Sequence, residues 1–322
     1  MKILDADIAR SPQPQAIAIS SGKEAAIPSD SDHPHIQLAV RFSLAAITLL
    51  IGILAWRLFL PNGLMGGLNI VSEALSSNIF WIAVAVGFFA QAVDGALGMA
   101  YGITATTFLL SSGASPAVAS ASVHIAEVFT TGFSGIAHVK LGNINKGLFL
   151  RLLVPGIVGG IVGALVVTQI DGKILKPYVS VYLLIMGAYI LTKAFRMLRL
   201  QPRGQKHIGK LALFGGFVDT AGGGGWGPVV TTTLLGNGHD PRTTIGTVNF
   251  AEFFLTLASA ATFVLLIGAG PWMIVAGLIL GGLFAAPFAA FLCRRIPARA
   301  LLTIVGTLIC SLSAFTLYRA LI

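Results

Sequence analysis

Charged residues are scarce in this chain. Asp, Glu, Lys and Arg together account for 10% of the 322 residues, while 55% are apolar and 38 are glycine. Soluble globular domains carry about 25% charged residues, so this composition excludes an ordinary soluble domain and is typical of a membrane protein. We therefore expect an all-α, polytopic membrane protein.

Cysteine is scarce as well. Cys293 and Cys310 both lie in apolar stretches, which excludes a disulfide framework and a zinc site with Cys-x-x-Cys spacing. The first residues, MKILDADIAR, lack the basic and apolar regions of a signal peptide. Residues 1–37 show no hydrophobic periodicity, and we predict that they form a disordered cytoplasmic tail.

The few charges are unevenly distributed, and the net charge is +9. The basic residues concentrate in two short segments next to apolar stretches: Lys193, Arg196, Arg199, Arg203, Lys206 and Lys210 in one, and Arg294, Arg295 and Arg299 in the other. Such clusters are typical of cytoplasmic loops and do not imply a nucleic-acid partner.

Internal duplication is the most informative feature that is present. The stretch from Asp94 to Pro116 matches the stretch from Asp219 to Pro241 at a constant offset of 125 residues, and 10 of the 23 aligned residues are identical. The match continues without a gap, so that Glu127 aligns with Glu252. Duplicated units with glycine breaks and carboxylates in apolar sequence are a common design of membrane transporters.

Two apolar segments, residues 79–110 and 209–235, are interrupted at their centres by aspartate and glycine. If each were a single crossing, the basic segment 193–210 would lie outside, against the positive-inside rule. If each is a hairpin that returns to its own side, every basic loop lies inside. Each copy then contains one hairpin and three crossings, so we predict that the two copies are inverted relative to each other.

This topology divides the chain into five regions. They are the tail 1–37, an extra N-terminal membrane helix with its outer loop at 38–78, the first copy at 79–195, a basic cytoplasmic linker at 196–210 and the second copy at 211–322. The N-terminus is expected in the cytoplasm and the C-terminus outside.

The breaks of the two hairpins are the predicted binding place. Glycine lets the backbone turn and approach a ligand, and the half-helix that follows each break offers free N–H groups to an anion. The predicted substrate-binding residues are Gly98, Tyr101, Gly102, Thr106 and Thr107 in the first copy, and Gly223, Gly224, Gly225, Trp226, Thr231 and Thr232 in the second. The alternative is that these glycines serve close helix packing and that the aromatic residues belong to the core.

A second group of polar residues is predicted to act in gating or proton transfer: Asp94, His124, Glu127, Asp219, Asn249 and Glu252. Asp94 and Asp219 precede the breaks, where a carboxylate caps free amides or else binds a proton or cation. Glu127 and Glu252 occupy equivalent positions inside predicted spans, as proton carriers or as buried hydrogen-bonding groups. His124 lies three residues before Glu127, but its counterpart is Asn249, a poor metal ligand, so we predict neither a metal site nor a cofactor.

The sequence also resembles a known family. The run GGGG at 222–225 followed by Pro228, the helix SASVHIAEVFTTGFSGIAHVKLGNI and the small-residue helix PGIVGGIVGALV are similar to the TauE/SafE family of sulfite and organosulfonate exporters. The first copy departs from this pattern, because ALGMAYGI contains no run of glycines. The resemblance spans about residues 80–320 and implies a sulfite- or sulfonate-like substrate.

We therefore expect an inner-membrane transporter that exports a small sulfur-containing anion by alternating access. The alternative is a proton- or cation-coupled carrier that uses the intramembrane carboxylates. A channel and a homodimer both stay open. An enzyme is not expected, because no nucleophile and base show convincing spacing. The expected partners are the anion and the lipid bilayer.

Overall fold

The computed structural model describes residues 30–61, 63–195, 207–268, 270–295 and 298–322. The predicted tail up to residue 29 and most of the predicted linker lie outside these residues. In the described part the protein is all-helical, without strands. The helices are α1 (Pro34–Phe59), α2 (Gly63–Ser76), α3 (Asn78–Leu97), α4 (Tyr101–Ser111), α5 (Pro116–Lys140), α6 (Lys146–Gln169), α7 (Gly172–Phe195), α8 (Ile208–Gly222), α9 (Thr232–Gly236), α10 (Pro241–Ile267), α11 (Trp272–Arg295) and α12 (Ala298–Leu321).

Local sequence signals explain where the central helices begin. The Ser115 hydroxyl accepts a hydrogen bond from the Val118 amide at the start of α5, and the Asp240 carboxylate accepts one from the Thr243 amide at the start of α10. A proline follows each cap, at the first helical position, where no amide is needed. The two starts are 125 residues apart, so the sequence repeat is also a structural repeat.

Both segments that the sequence predicts to be broken are broken. In the first hairpin, α3 ends at Gly98 in the left-handed conformation (φ 65°), and α4 starts after Ala100 (φ 94°). In the second hairpin, α8 ends at Gly223 (φ 75°), Gly224 is also left-handed (φ 136°), and the π turn Gly227–Thr231 leads into α9. Left-handed backbone stops a helix, and glycine adopts it without the strain that a side chain causes.

Equivalent helices of the two copies pack against each other in opposite directions. Along α5 and α10, Gly135 lies against Phe250, Gly132 lies against Phe253, and the rings of His124 and Phe263 are 5.9 Å apart. One residue number rises while the other falls, which means that the two helices are antiparallel. This is the relation expected between inverted copies. Their orientation across a bilayer stays a prediction.

Helices of one copy also pack against helices of the other: α3 packs on α11, and α8 packs on α6. Glycines make these contacts close: Gly159 and Gly163 of α6 face the α8 backbone, and Gly277 and Gly281 of α11 face the α3 backbone. Small residues four apart commonly allow such close approach in membranes. These four glycines therefore serve packing, and the first limb of each hairpin is held by a helix of the other copy.

Six of the described helices are long and apolar enough to cross a membrane: Pro34–Trp56, Asn78–Gly95, Lys146–Gln169, Gly172–Phe195, Pro241–Ile267 and Arg299–Leu321. Large apolar side chains such as Leu49, Ile185 and Ile304 are exposed on this set, as expected of a surface that faces lipid. By the same criterion the first limb of hairpin one, α3, is long enough for a full crossing. Helix α5 is not in the set, and its buried face carries the polar residues described next.

Candidate functional site

The tips of the two hairpins touch each other. A side chain on Gly102 would come within 2.8 Å of the Gly224 Cα, and a side chain on Gly227 within 2.8 Å of the Met99 Cα. The Thr106 hydroxyl donates a hydrogen bond to the Gly223 carbonyl. The contact therefore needs glycine on both sides, and it brings residues about 120 positions apart into one place.

A small polar cavity lies between the tips. Its walls come from both hairpins and from the two central helices α5 and α10: Asp94, Ala100, Tyr101, Gly102, Ile103, Glu127, Asp219, Gly225, Gly227, Pro228 and Glu252. The cavity holds about one water molecule, which is less than a sulfite ion needs. In this conformation a bound anion would require the tips to separate.

Asp219 fixes the tip of the second hairpin. Its Oδ1 accepts hydrogen bonds from the backbone amides of Gly225 (2.7 Å) and Trp226 (2.8 Å), and its side chain is almost fully buried. These are free amides at the start of a helical segment, so the carboxylate acts as a cap and neutralises their positive end. The two amides that the sequence suggested for an anion are already bound to an anion of the chain.

The second oxygen of Asp219 leads to helix α5. Asp219 Oδ2 is 3.1 Å from Nε2 of His124, whose Nδ1 donates to the Ser120 carbonyl at 2.8 Å. A carbonyl can only accept, so Nδ1 carries a proton and Nε2 is the atom that faces Asp219. The imidazole therefore has a fixed orientation in a fully buried position.

Glu127 completes this group one helical turn further along α5. Its side chain is 3% exposed, and Oε2 has no hydrogen-bond partner among the described residues. Its ligand atom and those of His124 and Asp219 all lie within 4.8 Å of one another. We call these three residues the histidine half-site.

The equivalent residues at the offset of 125 form a counterpart, again with members from both copies, which we call the asparagine half-site: Asp94, Asn249 and Glu252. Asp94 faces the backbone amide of Tyr101 in the same capping position, but its side chain and that of Glu252 are only partly buried. The Asn249 side-chain carbonyl is buried without a partner among the described residues. The repeat thus places two carboxylates and one nitrogen-bearing side chain in each half.

The predicted threonines do not line the cavity. Thr107 donates to the Ile103 carbonyl of its own helix at 2.7 Å, and Thr232 accepts from Lys193. Thr106 is buried against Gly223 of the other hairpin, and Thr231 is also buried. The Trp226 indole donates to the Val248 carbonyl at 3.2 Å, and the Tyr101 hydroxyl donates to the Leu278 carbonyl at 3.2 Å, so both aromatic residues fix the tips to neighbouring helices.

Two residues of α7 contact the second hairpin, although the sequence alone does not single them out as site residues. The Tyr182 hydroxyl donates to the Gly224 carbonyl at 2.7 Å. Lys193 belongs to the segment predicted as a basic loop, but its Nζ reaches Thr232 and lies 3.5 Å from the Met99 sulfur. Neither has an equivalent residue in the other copy, since their counterparts at the offset of 125 are Thr307 and Tyr318. The duplication could therefore not point to them.

Comparison with known proteins gives two findings. The model of the family "Sulfite exporter TauE/SafE" matches residues 83–316. The "Probable membrane transporter protein YtnM" of Bacillus subtilis (strain 168) is 41% identical over 241 residues, which cover 72% of this chain and 80% of that protein. No solved structure matches the chain. The family match includes both hairpin tips and both half-sites.

Proposed function

Because the chain belongs to the sulfite exporter TauE/SafE family of membrane transporters, we propose that it exports a small sulfur-containing oxyanion, sulfite or an organosulfonate. The binding place is the contact between the two hairpin tips. The observation that carries this proposal is the pair of backbone amides of Gly225 and Trp226, which hold one carboxylate oxygen at 2.7 and 2.8 Å. Such a pair suits any small oxyanion.

The substrate would take the place of the Asp219 carboxylate on these amides. For this the tips must move apart, because the cavity between them holds only about one water molecule. This movement would break the hydrogen bond from Thr106 to the Gly223 carbonyl and separate the closely packed Gly102 and Gly224. Rocking of the two antiparallel copies about the tips would then expose the binding place alternately to either side, as in other transporters built from repeats.

The membrane potential can drive this export. A cell interior that is negative favours the exit of an anion by about 2.3 kcal/mol per charge and 100 mV. No coupling ion is then required. We therefore expect a flux that increases when the inside is made more negative.

A flux measurement tests the proposal. Purified protein in liposomes loaded with radiolabelled sulfite should release it with saturable kinetics under an inside-negative potential, and sulfoacetate should compete while acetate should not. Protein-free liposomes, and liposomes with protein unfolded by heat, serve as controls. Folded protein that releases no sulfite under any potential would overturn the proposal.

The carboxylates around the cavity favour a second candidate, a proton-coupled carrier. Asp94, Glu127, Asp219 and Glu252 all line the cavity, and four ionised carboxylates would repel an anion. If the carboxylates bind protons before the anion enters, protons and anion cross the membrane together. In liposomes without a potential, a pH gradient alone would then drive sulfite, and replacing both glutamates by glutamine would abolish this dependence. A sulfite flux that does not change with the pH gradient would exclude the proton-coupled carrier.

We also propose the orientation in the inner membrane, with the N-terminus in the cytoplasm and the C-terminus outside. The basic segment 193–210 and Arg299 support it, since such residues concentrate on the cytoplasmic side. Single cysteines introduced at Asn237 and Ile322, in a chain without its two native cysteines, should label from the inside and the outside, respectively, with a membrane-impermeant maleimide. Labelling of both from the same side would contradict the inverted arrangement.

A further inference from the structure

Against the expectation from the sequence, which predicts no metal site, we propose that the histidine half-site, His124, Glu127 and Asp219, binds a divalent transition-metal ion of the Zn²⁺ type. The site shares Asp219 with the proposed anion-binding place, but metal binding is measured without any transported substrate. It rests on three observations: the convergence of the three ligand atoms, the orientation of the imidazole and the unpartnered oxygen of Glu127.

The convergence is specific in residue type and in distance. One imidazole nitrogen and two carboxylate oxygens lie within 4.8 Å of one another on two helices from different copies. His with Asp or Glu is a ligand set that Zn²⁺ uses in proteins. Small shifts of the side chains would bring the three atoms to a common ion.

The orientation of His124 suits a ligand. The imidazole donates its Nδ1 hydrogen to the Ser120 carbonyl at 2.8 Å, which leaves Nε2 directed at Asp219. Metal-binding histidines usually donate their second nitrogen to a carbonyl or carboxylate in this way. Asp219 is held likewise, because its Oδ1 is bound by two backbone amides, which leaves Oδ2 directed at Nε2 of His124.

The third observation is Glu127. Its Oε2 is buried without a hydrogen-bond partner among the described residues, and its side chain is only 3% exposed. Buried polar atoms nearly always have a partner, and a buried carboxylate that stays ionised needs a positive charge nearby. A divalent ion between Glu127 and Asp219 would supply the partner and the charge for both.

The same reasoning does not extend to the asparagine half-site. Asn249 stands where His124 stands in the other copy, and an amide is a poor ligand for this class of metal. The chain therefore offers its own control, because the change His124→Asn gives the histidine half-site the residue that the fold already accepts at the equivalent position.

Calorimetric titration with Zn²⁺ tests the proposal on the full chain in nanodiscs, after removal of metal with a chelator. We expect one saturable site per chain, whose affinity falls by roughly 10-fold or more in His124→Asn and in Glu127→Gln. His35→Asn, which changes an exposed histidine, should leave the affinity unchanged. Thermal unfolding verifies that each variant is folded.

A second readout uses Co²⁺ in the same preparations. Binding to the histidine half-site should give a visible absorption band that Zn²⁺ displaces and that is missing in His124→Asn. The proposal is overturned if no saturable site exists, if His124→Asn binds as tightly as the wild type, or if His35→Asn abolishes binding and so reveals a surface site.

Discussion

The two half-sites occupy equivalent positions of a duplicated fold but differ in chemistry. In the histidine half-site Asp219 is buried, caps two amides and faces an oriented imidazole. In the asparagine half-site Asp94 is partly exposed and the opposite helix presents Asn249. The duplication thus retains the capping carboxylate and the glutamate, while the third side chain has diverged. In our proposal, a metal ion therefore binds in one half only.

The backbone at the two hairpin breaks differs as well. The second hairpin uses four glycines in succession and adopts left-handed backbone at two of them, while the first uses Gly98 and then Ala100, a non-glycine residue at φ 94°. Glycine at both sides of the contact is needed only where Gly224 meets Gly102. The second tip is therefore the more constrained one, and its substitutions should have the larger effects.

The largest effect is expected for Gly224→Ala. Its backbone has φ 136°, and the added Cβ would lie 2.8 Å from the Gly102 Cα. Backbone strain and overpacking together should destabilise the protein by about 2–5 kcal/mol. Gly98→Ala in the first hairpin should cost less, because its Cβ meets only the Ile245 side chain at 3.0 Å. Apparent melting temperatures in detergent measure the stability of both variants. Equal decreases in the two variants would show that the second hairpin tip is not the more constrained one.

The next effect concerns the two capping carboxylates. Asp219→Asn keeps the size of the side chain but weakens the bonds to Gly225, Trp226 and His124, and it should destabilise the protein by roughly 2–3 kcal/mol. Asp94→Asn should cost less than half of this, because Asp94 is partly exposed. The measurement is thermal unfolding of both variants beside the wild type. A larger loss of stability in Asp94→Asn than in Asp219→Asn would show that Asp94 is the more important cap.

A smaller effect separates neighbouring threonines of the first hairpin. Thr106→Val removes the hydrogen bond to the Gly223 carbonyl and should cost about 1–3 kcal/mol, since a buried carbonyl loses its partner. Thr104 is buried without a partner for its hydroxyl among the described residues, and its counterpart is Val229. Thr104→Val should therefore be neutral or stabilising. The same melting experiment distinguishes the two, and a loss in Thr104→Val would indicate a missed partner.

The smallest effect is a pH dependence at the helix caps outside the membrane. The backbone amide and then the hydroxyl of Thr243 bind the Asp240 carboxyl and lower its pKa, while the equivalent cap of α5 is Ser115, which does not titrate. A lowered pKa means that the Asp240 cap stabilises above about pH 4 and that this stability is lost as the pH falls through the lowered value.

Asp240→Ser should abolish this acid-dependent part, about 0.5–1 kcal/mol, and Ser115→Asp should introduce it in the first copy. Unfolding temperatures between about pH 6 and pH 3 in both variants provide the test. Unchanged acid sensitivity in Asp240→Ser would show that other groups determine it.

Local sequence signals were enough to predict the breaks near Gly98 and Gly223, because aspartate and glycine act on their own neighbourhood. The duplication also indicated the equivalent residues Glu127 and Glu252. The breaks depend on a few residues close in sequence, and the paired glutamates follow from the repeat offset of 125 residues.

The rotation of each helix could not be predicted in the same way. The sequence places Thr107 and Thr232 at the cavity, but packing directs them to their own helix and to Lys193. The contact of His124 with Asp219 joins residues 95 positions apart, and the one between Tyr182 and Gly224 has no counterpart in the repeat. Such contacts follow from tertiary packing, which the duplication does not encode.

The central claim is that the contact between the hairpin tips is the route of the anion. The most direct test compares potential-driven sulfite release by the wild type, Gly224→Ala and Gly236→Ala in liposomes with equal amounts of folded protein. A side chain at Gly236 would meet nothing within 4 Å, so this variant is the matched control. We predict normal release for the wild type and Gly236→Ala and none for Gly224→Ala. Equal release by folded Gly224→Ala, or none by the wild type, would contradict the account.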